Sequence, residues 1–279
     1  MPKKIHNLPI TGIASFAKYP ICTDLDQLDA DVCVMGIPYD QSTPYLTGSK
    51  FGPRRIREVS CHYGRGDEGF WDPERQEQYL AAPVRVVDGG DVDIHPMDFH
   101  ETFDNITETV RKILSKGALP VMMGGDHSVT YPEARAFDQF EDLCIVQFDA
   151  HLDFGQRTYT NGSPMRLISQ LPHFKKMCQI GMRGLGSNTR EDFQAAYDFG
   201  SVVIPARQAL EIRFRAERRI DLKVVAHVVF VVAAGAEDRV EVNRADSQIL
   251  QIGKLFAHAL QIAAEEIDGF RVAVRSGGE

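Results

Sequence analysis

Residues 119–153 read LPVMMGGDHSVTYPEARAFDQFEDLCIVQFDAHLD. Two largely apolar runs, Leu119 to Met123 and Leu143 to Phe148, each end in a polar cluster. The first is followed by Gly124-Gly125-Asp126-His127-Ser128 and the second by Asp149-Ala150-His151-Leu152-Asp153. Short apolar runs alternating with helical intervals are the pattern of parallel strands joined through helices and buried on both faces. In open sheets of this kind, the carboxyl ends of the strands collect ligand-binding groups, because loops and helix N-termini meet there without disturbing the core.

Outward from this stretch the same rhythm continues. Further strands are predicted at Val32 to Ile37, Val84 to Val87, Met177 to Met182 and Ser201 to Ile204. Ile106, Val110, Ile113 and Leu114 fall on one face of a helix that Gly117 is placed to end, and Pro53 suits the first turn of a helix carrying Ile56 and Val59. Residues 63–83 are polar, turn-rich and aperiodic, and read as a surface loop. The fold class is therefore α/β: three layers, α/β/α, around a mostly parallel sheet.

Composition narrows the function. The 279 residues are 43% hydrophobic, enough to bury a sizeable core. Mean hydropathy is -0.23 and no apolar run approaches about 18 residues, so no membrane span is expected. The start, MPKKIHNLPI, lacks the apolar core of a signal peptide, and the chain reads as cytoplasmic. Thirty-nine acids against 31 bases, a net charge of -8, leave no basic footprint for nucleic acid and lean toward cationic small molecules. Five separated cysteines with no C-x-x-C pair read as reduced thiols, mostly buried.

Asp149, His151 and Asp153 stand at i, i+2 and i+4, so in extended backbone they would share one face at the sheet's rim. Two carboxylates and an imidazole this close repel unless a cation lies between them. Mixed oxygen and nitrogen ligands suit manganese, iron, nickel or zinc better than calcium. His127 can add a second imidazole, and Asp126 can orient a ligand from behind it. Taken singly, each cluster is also what a solvated strand end or a helix start looks like. Their placement after two successive strands makes a divalent metal the economical explanation.

GGDHS, FDAHLDF and the upstream FGPRRIR, together with GIPYD, VVDGGDVDI and QIGMRGLGS, resemble the ureohydrolase family of arginases and agmatinases over about residues 30–210, closest to its agmatinase and guanidinobutyrase branch. The resemblance implies an arginase-like fold and two manganese ions per chain, nickel in some members. It also implies water activated between those ions, hydrolysing a linear guanidino compound to urea and an amine. Carried over, His127, Asp149 and Asp153 would ligate one ion, and His151 with Asp149 the other. Asp149 would then be the catalytic bridge. The family's trimers or hexamers imply a homo-oligomer, and its chemistry implies a small cationic guanidino substrate with no nucleic-acid or membrane partner.

Two departures stand against it. Asn161, in Thr160-Asn161-Gly162-Ser163, occupies the place of a family histidine thought to position substrate or shuttle a proton; an amide can hydrogen-bond a ligand but transfers no proton. The D-x-D pair with which the family completes both metal sites has no clear counterpart, since Glu266-Ile267-Asp268 echoes it without its continuation. All 14 prolines lie at or before Pro205, and from Glu211 onward Tyr, Trp, Cys, Met and Thr vanish. The chain thus divides into residues 1–210, ureohydrolase-like, and 211–279, a divergent end that is either a diverged βα ending or the product of a frame shift or exchanged terminus. Within that end Val224 to Val232 reads as a buried strand, residues 249–263 as an amphipathic helix, and His227 as a core histidine. The leading expectation is an agmatinase-like amidinohydrolase holding two manganese ions, or one, or none. The alternative is a catalytically impaired homologue lacking the second ligand motif.

Overall fold

The computed structural model describes residues 8–209 and the strand Val228–Ala233. They form mostly parallel sheets flanked by helices, built as two compact units.

One unit has a three-stranded parallel sheet with β1 (Val32–Gly36) between its neighbours. Every residue of β1 is buried, as a strand covered on both faces requires. Helix α1 (Gly52–Ser60) begins with Pro53 in its first turn, as expected. Its inward-facing side chain is nevertheless Arg57, whereas Ile56 and Val59 are exposed. Arg57 Nε and Nη2 bond Asp88 Oδ2 and Oδ1 at 2.8 and 3.0 Å, and Nη1 bonds Asp91 Oδ1 at 2.6 Å. A buried guanidinium is tolerable only when its donors are met by carboxylates in this way.

The segment 63–83 is not simply a loop. It carries a small antiparallel hairpin, β2 (Phe70–Asp72) with β3 (Glu77–Tyr79), that buries Tyr79. Three-residue strands are too short for a period-two pattern to show. Strand β4 (Val86–Asp91) starts later and runs further than its apolar residues suggest, through Gly89 and Gly90. Helix α2 (Phe99–Ser115) is capped by the Asp98 carboxylate, which accepts from the amides of His100 and Glu101. Its buried face includes Ile106, Val110 and Ile113, each fully enclosed, and Gly117 ends it with a φ of 75°. Strand β5 (Leu119–Met123) then pairs with β1.

The other unit contains helix α3 (Thr130–Arg135), strand β6 (Leu143–Phe148), helix α4 (Pro164–Ile168), strand β7 (Phe174–Met182), helix α5 (Arg190–Phe199), strand β8 (Ser201–Pro205) and strand β9 (Val228–Ala233). Its sheet order is β8-β7-β6-β9, with β6, β7 and β8 parallel and β9 antiparallel to β6. Residues of β6 alternate between two clusters. Leu143 and Ile145 pack with Met165, Ile168 and Phe174, while Cys144 and Val146 pack with Cys178 and Ile204. Helix α5 opens with a capping box between Thr189 and Asp192, and Asp192 also holds Arg166 at 3.0 Å.

No helix among the described residues is long and apolar enough to cross a membrane. None of the five cysteines is in a disulfide, with Cys22 part-exposed and the other four buried. The expected helix at 249–263, His227, and Glu266 with Asp268 lie outside the described residues.

Candidate metal centre

After β5 the chain turns through Gly124 and Gly125. A Cβ on Gly125 would fall 1.8 Å from the Tyr39 carbonyl oxygen, so only glycine permits this approach. The next amide, that of Asp126, donates to that same carbonyl at 2.8 Å. The Asp126 carboxylate accepts from the Ser42 amide at 3.0 Å and from the Ser128 amide at 2.9 Å, pinning the 3₁₀ turn His127–Val129 that leads into α3. Asp126 thus secures the turn that carries His127, which is buried.

Strand β6 delivers Asp149, whose amide donates to Ile180 O at 3.0 Å. The backbone then leaves the strand. Asp149 Oδ1 accepts from the His151 amide at 2.9 Å, the Leu152 amide donates to Asn188 Oδ1 at 3.1 Å, and Asp153 takes a left-handed φ of 55°. The extended i, i+2, i+4 face expected for Asp149, His151 and Asp153 is therefore not what forms. A turn brings Asp149 and Asp153 together, both buried, and leaves the His151 side chain half exposed with Nδ1 3.4 Å from Asp149 Oδ1.

His127, Asp149 and Asp153 each present one ligand atom, all within 4.8 Å of one another. His151 is not a member of that group. Two carboxylates at such a spacing repel by about 3 kcal/mol at an effective dielectric near ~20, and buried charge is retained only where something of opposite sign compensates it. One imidazole nitrogen and two carboxylate oxygens fit a transition-metal dication, so the donor set suits the ion that the sequence resemblance implies. Asn161 stands half-buried in the turn between Phe154 and α4, where Gly155 N bonds Gly162 O at 2.9 Å and Thr160 N bonds Ser163 Oγ at 3.0 Å.

The motif reading missed two side chains beneath the carboxylates. Gln147 and Gln179 are cross-strand neighbours on β6 and β7, and both are fully buried. Gln147 Nε2 lies 2.8 Å from Asp153 Oδ2 and 3.3 Å from Asp149 Oδ2. A usable signal was present: Gln147 is a polar residue within an otherwise apolar strand, two positions before Asp149. A small cavity of about 120 Å³ adjoins this loop, lined among others by Ala150, Leu152, Arg183 and Asn188.

Residues 30–230 match the model of the arginase family. The chain is similar to a guanidinopropionase of Pseudomonas aeruginosa, 32% identical over 72% of this chain and 63% of that one. It is also similar to an agmatinase of Bacillus subtilis, 32% identical over 62% and 58%. Among solved structures it resembles the proclavaminate amidino hydrolase of Streptomyces clavuligerus, with a TM-score of 0.64 and 29% identity over 73% of this chain and 67% of that one. The chain spans between 53% and 63% of the length of the first curated relatives that it matches.

Proposed function

Because this chain belongs to the arginase family, we propose that it is built as a metal-dependent amidinohydrolase, cleaving a linear guanidino compound of the agmatine or guanidinobutyrate type to urea and an amine. One observation carries the reading: the buried His127, Asp149 and Asp153 group, with one ligand atom from each within 4.8 Å of the others. The activities named for the similar guanidinopropionase and agmatinase support the reaction class, and the net charge of -8 is compatible with a cationic substrate.

His127 would supply the imidazole, Asp149 and Asp153 the carboxylates, and manganese or nickel is the ion expected there. When bound, such an ion polarises substrate and lowers the pKa of water enough for hydrolysis near neutrality. The chain's own part is geometric. The Asp126 cap fixes the His127 turn, the Asp149 carboxylate holds the His151 amide, and the left-handed Asp153 closes the loop. Asn161 would hydrogen-bond substrate without moving protons. Assembly into trimers or hexamers and a cytoplasmic location follow from the same reading.

A second reading has its own support. The D-x-D pair with which the family completes both metal sites has no clear counterpart in the sequence. A chain with one ion site instead of two would bind metal yet hydrolyse slowly or not at all. Isothermal titration of the purified chain with Mn²⁺ and Ni²⁺, beside urea release from agmatine, 4-guanidinobutyrate and arginine, separates the two. Binding with urea release supports the enzyme. Binding without it, or no binding at all, supports the impaired homologue. Asp149→Asn is expected to abolish whatever binding the wild type shows.

A further inference from the structure

We propose that Gln147 and Gln179 form a neutral amide relay that sets Asp149 and Asp153 for the cation, making both glutamines positioning residues of the site; this rests on the metal reading above. Gln147 Nε2 points at three oxygens: Asp153 Oδ2 at 2.8 Å, Asp149 Oδ2 at 3.3 Å and the His151 carbonyl at 3.3 Å. Its two hydrogens serve Asp153 and one of the longer contacts. Gln147 Oε1 accepts from Gln179 Nε2 at 2.7 Å, and Gln179 Nε2 spends its other hydrogen on the Leu152 carbonyl at 2.7 Å.

The orientation is forced. Backbone carbonyls only accept, so turning either amide over would set oxygen against oxygen at hydrogen-bond distance. The arrangement also carries a visible cost, because Gln179 Oε1 is buried and without a hydrogen-bond partner among the described residues. A methionine or leucine at either position would fill a sheet interior without an unmet acceptor, so packing alone gives no reason for the pair. What the amides supply is direction without charge. Lysine or arginine at position 147 would bring a positive group to compete with the ion, and a carboxylate would add repulsion. An amide donates to Asp153, has one hydrogen left for Asp149 or the His151 carbonyl, and changes the charge of the site by nothing. Gln147 on Asp153 and Gln179 on the Leu152 carbonyl also strap the Asp149–Asp153 loop to β6 and β7, so that the ligands are placed before any ion arrives.

The test uses the full chain as wild type, Gln147→Met, Gln179→Met and the double variant. Mn²⁺ titration, the electron paramagnetic resonance spectrum of bound Mn²⁺, and the metal-free melting temperature are measured on each. Expected are a loss of Mn²⁺ affinity of about 10- to 100-fold for Gln147→Met with an altered spectrum, a smaller loss for Gln179→Met, and a double variant that loses less than the product of the two. The melting temperature without metal should fall modestly in Gln147→Met, which removes a donor from the buried Asp153 carboxylate, and this measures the structural part of the role apart from the effect on Mn²⁺. Wild-type affinity and spectrum in Gln147→Met would overturn the relay while leaving the metal site intact. Should that variant not fold, unchanged Mn²⁺ affinity in Gln179→Met overturns it equally. A wild-type chain that takes no Mn²⁺ overturns the metal reading and the relay with it.

Discussion

Glu133, part-exposed on its surface but poorly hydrated at its carboxyl, shows what a single group does to this protein. On α3, loss of hydration pushes its carboxyl up to about 8. In the unfolded chain the same group ionises in the ordinary carboxylate range, so from about pH 4.5 upward the unfolded state loses a proton that the folded state keeps. Stability should therefore fall as pH rises toward 8 and level off above it. Glu133→Gln, which cannot ionise, is expected to melt higher than wild type at pH 8 and equally at pH 4, a difference that thermal scans at both values would show. The thiols are a second residue-scale consequence. Burial raises Cys33 to about 12 and Cys144 to about 11, so neither offers thiolate near neutrality. Cys22, part-exposed, should be the first site labelled by iodoacetamide, as peptide mapping after brief treatment of the native chain can verify.

At the scale of elements, helices α1 and α2 solve the same packing problem by opposite means. α2 docks through Ile106, Val110 and Ile113, a periodic apolar face that the sequence displays openly. Ile106→Ala should cost about 2–5 kcal/mol in urea denaturation, the range for emptying a full side chain from a closed core. α1 instead docks through Arg57 onto Asp88 and Asp91. Arg57→Met should cost about 3–5 kcal/mol, because it strands a buried Asp88 charge, and adding Asp88→Asn should recover part of that loss. An ion pair of this kind has no periodic signature, so helix α1 was legible as a helix while its inward face was not. The hairpin β2–β3 escaped notice for a related reason: its pairing is cross-strand, and each strand is only three residues long.

Across the whole molecule, the match to the arginase family reaches residue 230, while the chain covers 63% of the guanidinopropionase it resembles. We propose that residues 1–210 are the ureohydrolase part and that 211–279 are a divergent or exchanged end. Coding DNA downstream of codon 210 that specifies a D-x-D-G-x-D-P segment in another frame would establish the exchange, and its absence from every frame would refute it. The end is not inert in the fold, for β9 covers β6 along all six residues from Leu143 to Phe148. A chain stopped after residue 209 would expose that edge and is expected to aggregate, detectable by light scattering at concentrations where the full chain stays dispersed.

The main parallel strands, the α/β class and the candidate ligand clusters at the ends of β5 and β6 were all determined by the sequence. Each depends on local periodicity or on neighbours within five residues, which a linear pattern records. Which ligands meet was decided only in three dimensions. The turn after Phe148 returns Asp153 to Asp149 and leaves His151 Nδ1 3.4 Å from Asp149 Oδ1, and a left-handed residue is invisible to spacing arguments. The partnership of Gln147 with Gln179 likewise depends on the register of β6 against β7, 32 residues apart along the chain. Strand pairing sets such contacts through long-range hydrogen bonding, whose choice of partner no local stretch of sequence contains.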